Sequence, residues 1–361
     1  PLVLETTSDT ELMNNPRASV QQVYGRIMED LDEAITLLTG ASARADKAEI
    51  SVEVAYGLRA RANLLMGKWA AAASDAAKAY GTSAPYSVAD VSQPTFYNAT
   101  DNAWIWGIVV TTEDYLAKTG IVNWPSNLCS LTGMGYTTAA SATDVAYRLI
   151  NKNLWAKIPE TDVRKGWWVD EDLHSPVLDN GLGEDYAYYW ANGMFNGGTF
   201  PSKFSPYTNV KFGPDNGTFA DTDNAQDWPL MRVEEMKLIE AEALGRDNLA
   251  TGKQKLEEFV RQYRDPSYTC TAGSLDAFID EVWFQRRVEL WGEGFALFDI
   301  LRLKKPIIRQ GANYPINSTF AEIAAEAPIM IYRIPEAETS VNSAITEADN
   351  NPAAMAPTPV N

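Results

Sequence analysis

Histidine occurs once in the 361 residues, at His174, and cysteine twice, at Cys129 and Cys270. A single imidazole leaves serine and cysteine triads without their usual base and most metal centres without a ligand set. Two cysteines with no CxxC and no Cys/His cluster exclude a zinc site on ligand count, and their positions do not say whether they pair. There is no GxSxG, HExxH, P-loop or dinucleotide fingerprint. No apolar run reaches the roughly 18 residues that a membrane-spanning helix needs. No signal peptide precedes Pro1, and the opening Pro1-Leu2-Val3-Leu4-Glu5 reads as the interior of a longer protein. Positive charge is also scarce, with 30 basic against 48 acidic side chains and a formal charge of -18. Such a surface repels phosphate backbones and anionic lipid, which argues against nucleic acid as a partner.

Hydrophobic residues make up 45% of the chain and charged residues 22%, enough for a large core and too apolar for wholesale disorder. Aromatic residues are plentiful, with 11 Trp and 16 Tyr. An excess of these two types suits amphipathic contact surfaces for sugars or another protein, although many such rings fill gaps between helices and loops.

Periodicity points to helices. Val20, Val23, Tyr24, Ile27, Leu31, Ile35 and Leu38 recur on one face of a helix over 17–39. Residues 51–66, with Ser51 as N-cap, and 69–80 form two more, joined at Gly67. Small residues between Ala62 and Ala79 let these two approach closely, in the manner of a tetratricopeptide hairpin. The pattern returns over 228–244, 250–264 and 275–303, the last interrupted by Gly292 and Gly294. Between them, 81–141, 166–227 and 304–361 read as long irregular stretches, with a short strand over 102–110 and a helix near 142–155. The expected class is mostly α, tetratricopeptide-like helix hairpins with long loop-rich insertions.

Several segments carry a resemblance. The run QRRVELWGEGFALFDILR over 285–302 is similar to the signature of SusD/RagB proteins, with Gln285 where Glu is usual and Ala296 where Arg is common. Tyr332-Arg333-Ile334-Pro335, followed by Asn342 and Asn350-Asn351-Pro352, resembles the ending of that family. Asp162-Val163-Arg164 resembles its DxR segment, residues 228–243 one of its helices, and Pro1–Leu4 the strand before its first helix here. The resemblance implies a single SusD-like domain over 1–361. Its parts are helical repeats at 17–80 and 228–303, a ligand-face insertion at 81–227 and a loop-rich end at 304–361. It implies a non-enzymatic nutrient carrier, lipid-anchored through an N-terminal part outside this chain and facing outward on the outer membrane. Its ligand is an oligosaccharide and its partner a SusC-like TonB-dependent transporter. No cofactor is implied.

The insertion supplies the candidate site. Trp104, Trp106, Tyr115, Trp124 and Tyr136 lie in one stretch, and Trp167, Trp168, Tyr186, Tyr188, Tyr189 and Trp190 in another, beside Asp185 and Asn192. Sugar rings have apolar faces that stack on aromatic rings, while their hydroxyls seek carboxylates and amides. The expected ligand-binding residues are Trp124, Tyr188, Tyr189, Trp190, Tyr136 and Asp185. The charged residues of 285–302 read as an ion network that locks a helix to its surroundings, with i,i+3 pairs such as Arg286–Glu289 and Asp299–Arg302. The oxygen-rich stretch Asp221–Asp227 offers calcium-type ligands but reads as a solvated turn. Three rivals stand beside the carrier: the same fold binding peptides or another nutrient, a tetratricopeptide scaffold, and a glycosidase using two of the 48 acids. The scaffold would show regular repeats of about 34 residues, whereas long insertions separate these hairpins.

Overall fold

The computed structural model describes residues 1–118, 128–131, 147–194, 203–219, 225–320, 322–355 and 357–360. It is mostly helical. The principal elements are α1 (Val20–Leu38), α2 (Val52–Leu65), α3 (Trp69–Tyr80), β1 (Trp104–Ile108), α4 (Pro176–Leu182), α5 (Glu184–Ala191), β2 (Trp228–Arg232), α6 (Val233–Asp247), α7 (Leu249–Tyr263), α8 (Leu275–Glu289) and α9 (Ala296–Arg302). They fall into two compact units, residues 37–295 and residues 1–36 with 296–361.

The larger unit holds two apolar clusters. In the first, Ala60 and Leu64 of α2 meet Ala72, Ala76 and Ala79 of α3, and Met236 and Ile239 of α6 complete the stack. Alanine faces allow the close approach, and Gly67 turns the chain at φ 71° with the Trp69 ring against it. Helix α6 is buried around most of its circumference, including Glu234, Glu235 and Glu242. It meets α7 where Gly252 lies against Gly245, so close that a Cβ on Gly252 would strike the Gly245 backbone.

The second cluster lies in the long insertion and is rich in aromatic rings. Phe96 sets its edge against Trp167 at 5.5 Å, and Phe212 stacks on Trp228 at 5.7 Å. Trp104, Trp167 and Trp168 are buried here, so the gap-filling role holds for these rings. Each large side chain so buried contributes about 1.5–3 kcal/mol relative to exposure.

Several elements differ from the periodic reading. Residues 228–232 form a strand, paired antiparallel with β1, rather than the start of a helix. Pro229 accounts for this, since the residue before a proline is pushed out of the helical region. The irregular stretch 166–227 contains α4, capped by Ser175 with Pro176 in the first turn, and α5. Near 142–155 the described helix is only Lys152–Trp155, while Leu149 bridges to Thr208. Residues 2–4 form no strand. The helical segment over 275–303 breaks where Gly292 and Gly294 adopt positive φ. Cys129 and Cys270 are both buried free thiols.

In the smaller unit, polar side chains tie distant segments together. The Asn342 amide donates to the Asn15 carbonyl at 2.7 Å and accepts from its N–H at 3.1 Å. Asn350 accepts from the Ile334 N–H at 2.8 Å and donates to its carbonyl at 3.1 Å. Arg17 donates to Asn351 Oδ1 at 2.9 Å. The asparagines of the C-terminal motif are therefore backbone clamps. Within α9, Asp299 and Arg302 pair at 2.7 Å, as their spacing implies.

Candidate functional site

Two polar constellations compete for a functional role in the larger unit. The first is a cluster of fully buried charges. Glu289 accepts from Arg264 at 2.8 and 2.9 Å and from Arg164 at 3.3 Å. Glu293 accepts from Arg232 at 2.8 Å and from Lys211 at 2.7 Å. Glu234 meets Arg232 at 2.8 Å and Arg264 at 3.1 Å, and Arg164 reaches Asp162 at 2.6 Å. Arg164, Lys211, Arg232 and Arg264 thus balance Asp162, Glu234, Glu289 and Glu293. Glu289 takes these partners from other segments rather than from its own helix. Gln285 accepts from Arg164 at 2.6 Å as a neutral amide, so the departure from Glu keeps the balance.

Burial alone would raise the Glu289 carboxyl, but Arg264, Arg232 and Arg164 hold it well below the usual carboxylate range. Glu293 is lowered in the same way, against burial, by Arg232 and Lys211. Burial dominates at Lys211 and brings it down to about 8 despite Glu293. Its ammonium also sits 4.9–5.0 Å from the centres of the Phe96, Trp167 and Phe212 rings. With these side chains sealed from solvent, the cluster is a structural lock.

The second constellation is the outer face of α5. Ala187, Trp190 and Ala191 lie at steps of three and four and are buried. The same phase turns the tyrosines outward: Tyr186 is 59% exposed, Tyr188 57% and Tyr189 47%. Asp185 is exposed beside them. The Tyr188 and Tyr189 rings meet edge to face at 5.9 Å. Trp190, expected among the ligand-binding residues, is instead 1% exposed, and its indole N–H donates to the Ser130 carbonyl at 3.2 Å. It anchors the helix and has no face to offer a ligand. Trp124 and Tyr136 lie outside the described residues.

A groove of about 240 Å³ runs beside Tyr188, lined by Asp172, His174, Leu178, Asp179 and Glu184. Its wall is set by a loop in which Asp170 accepts from the N–H groups of Asp172 and His174, both at 2.9 Å. His174 pairs through Nε2 with Asp179 at 2.6 Å. His174, Asp179 and Glu184 are not among the expected ligand-binding residues; the loop before α4 sets His174 against Asp179, and the α4–α5 turn adds Glu184. The one available signal was the Ser175-Pro176 helix start. No group of three or more His, Cys, Asp or Glu forms a metal site among the described residues. Asp227 serves the backbone, accepting from Ala99 and Val110 N–H groups at 2.8 Å, and burial raises its carboxyl. Asp221–Asn224 lie outside the described residues.

The family model of the SusD family matches residues 137–352. The chain belongs to the SusD family. A SusD-like carbohydrate binding protein from Bacteroides vulgatus superposes with a TM-score of 0.73 at 22% identity, over 98% of this chain and 71% of that one. Surface glycan-binding protein A from Bacteroides thetaiotaomicron, in complex with laminarihexaose, gives 0.60 at 15% identity over 91% and 71%. A laminarin binding SusD-like protein gives 0.52 at 21% identity over 84% and 66%. At these identities the structures share the fold. No curated protein sequence matches the chain.

Proposed function

We propose that this SusD-family chain is a passive carrier that holds an oligosaccharide on the outer face of α5. The observation that carries the reading is the division of α5, with Trp190 fixed inside and Tyr186, Tyr188 and Tyr189 outside. Broad exposed rings beside a groove with carboxylates and an imidazole suit the apolar faces and hydroxyls of a sugar chain. Rings held by a packed helix lose little freedom on binding. The glycan-binding relatives of the same fold support this choice of ligand.

In this reading the protein sits on the outside of an outer membrane, held there by a lipid anchor. It delivers its ligand to a SusC-like TonB-dependent transporter. Stacked helix hairpins give the broad surface that docking on a large partner needs. No bond is made or broken, so turnover abolished by one Asp or Glu substitution would replace the carrier with a glycosidase.

Calorimetric titration with a panel of neutral oligosaccharides and a panel of peptides tests the ligand class. At least one oligosaccharide binds, and Tyr188→Ala weakens it about tenfold, equivalent to about 1.4 kcal/mol. Binding of peptides alone would transfer the same face to the peptide-carrier reading.

A further inference from the structure

The groove beside Tyr188 has a neighbour. A second groove, of about 470 Å³, is lined by Lys152, Asn153, Trp155, Glu171, Asp172 and Tyr207. Asp172, an exposed residue, lines both. The second groove also has an aromatic side, where the half-buried Trp155 ring lies 5.3 Å and 64° from the buried Tyr207 ring, with the Lys165 ammonium 4.5 Å from the centre of the Trp155 ring. Its volume lies in the range of small-ligand sites, about 300–1,000 Å³.

We infer that this groove is a second subsite for the same ligand chain, reached past Asp172, and that the joined cleft selects chains without acid groups. The inference rests on the carrier reading above and adds its chain length and charge class.

The selection follows from the lining. Asp170, Glu171 and Asp172 border the second groove and Asp172, Asp179 and Glu184 the first, against Lys152 and His174. Glu171 is held in place by the Tyr207 hydroxyl, which donates to it at 2.6 Å. Burial, then this bond, pushes the Tyr207 hydroxyl up to about 12, so it stays a donor at neutral pH. A uronate or sulfate in either groove sits within the screening length of about 8 Å from like charges, which discriminates against it.

The test is calorimetric titration of the whole chain with matched neutral disaccharides and hexasaccharides and with uronate hexamers. The neutral hexasaccharide binds about tenfold tighter than its disaccharide and about tenfold tighter than the uronate hexamer. Trp155→Ala removes the length gain and leaves the disaccharide unchanged. Asn153→Trp, which fills the groove from an exposed position, does the same if Trp155→Ala unfolds. Equal affinity for both lengths, an unaffected hexasaccharide in both variants, or equal affinity for the uronate overturns the inference. If Tyr188→Ala still weakens binding in that case, the carrier reading survives alone. If no neutral glycan binds, both fall.

Discussion

The buried charges around Glu289 and the tyrosine face of α5 belong to one compact unit and are built from polar groups, yet they do opposite things. Around Glu289 every charge is matched inside the protein, at distances such as 2.8 Å to Arg264 and 2.6 Å between Arg164 and Asp162. On α5 the rings of Tyr186, Tyr188 and Tyr189 face solvent. The lesson concerns where unused interaction capacity is kept. The signature of Arg, Glu and Asp reads in sequence as an ion network, and its charges are spent on holding segments together. A short helix with three tyrosines and a tryptophan in eight residues keeps its tyrosine rings exposed instead.

The comparison breaks most readily on the charged side. Glu289→Gln leaves Arg164, Arg232 and Arg264 short of a partner, and urea unfolding is expected to lose about 3–5 kcal/mol. A loss under about 1 kcal/mol would remove the lock. Trp190→Ala is expected to cost a similar amount, about 3–5 kcal/mol, because it empties a core site. That result separates it from its tyrosine neighbours.

Acid gives a smaller, graded effect. Glu289 and Glu293 have folded values below their ordinary value of 4.5. Their contribution is therefore full above that pH and is lost as pH falls through the folded values, where protons bind the unfolded chain first. Stability measured between pH 6 and pH 3 is expected to fall below about 4.5, less steeply in Glu289→Gln than in the wild type. Equal slopes would contradict the assignment. Gln285→Glu adds an unmatched carboxylate beside Arg164 and is expected to cost about 1–3 kcal/mol. At the mild end, Tyr189→Ala should change stability by no more than about 0.5 kcal/mol while weakening oligosaccharide binding severalfold.

How much of this was legible in sequence depends on how local the cause is. The α2–α3 hairpin was readable from Ala spacing and Gly67, and β1 from the run around Trp104. The signature over 285–302 led to the family and its class. The strand at 228–232 was masked because Leu230, Met231 and Val233 also fit a helical period; Pro229 was the cue. Trp190 was misjudged because 184–191 lies between Gly183 and Gly193 and reads as a loop. Helix α5 has no side-chain N-cap to announce it. Once the segment is helical, Trp190 must share the face of Ala187. The groove residues come from one loop and the two short helices that follow it, α4 and α5, which the sequence pattern does not mark as helical.

The most direct test is a crystal of the protein soaked with an oligosaccharide that binds it. The account predicts sugar rings within about 4 Å of the Tyr186, Tyr188 or Tyr189 rings, with Trp190 still enclosed. Sugar density elsewhere, with all of these tyrosines left to solvent, would contradict it.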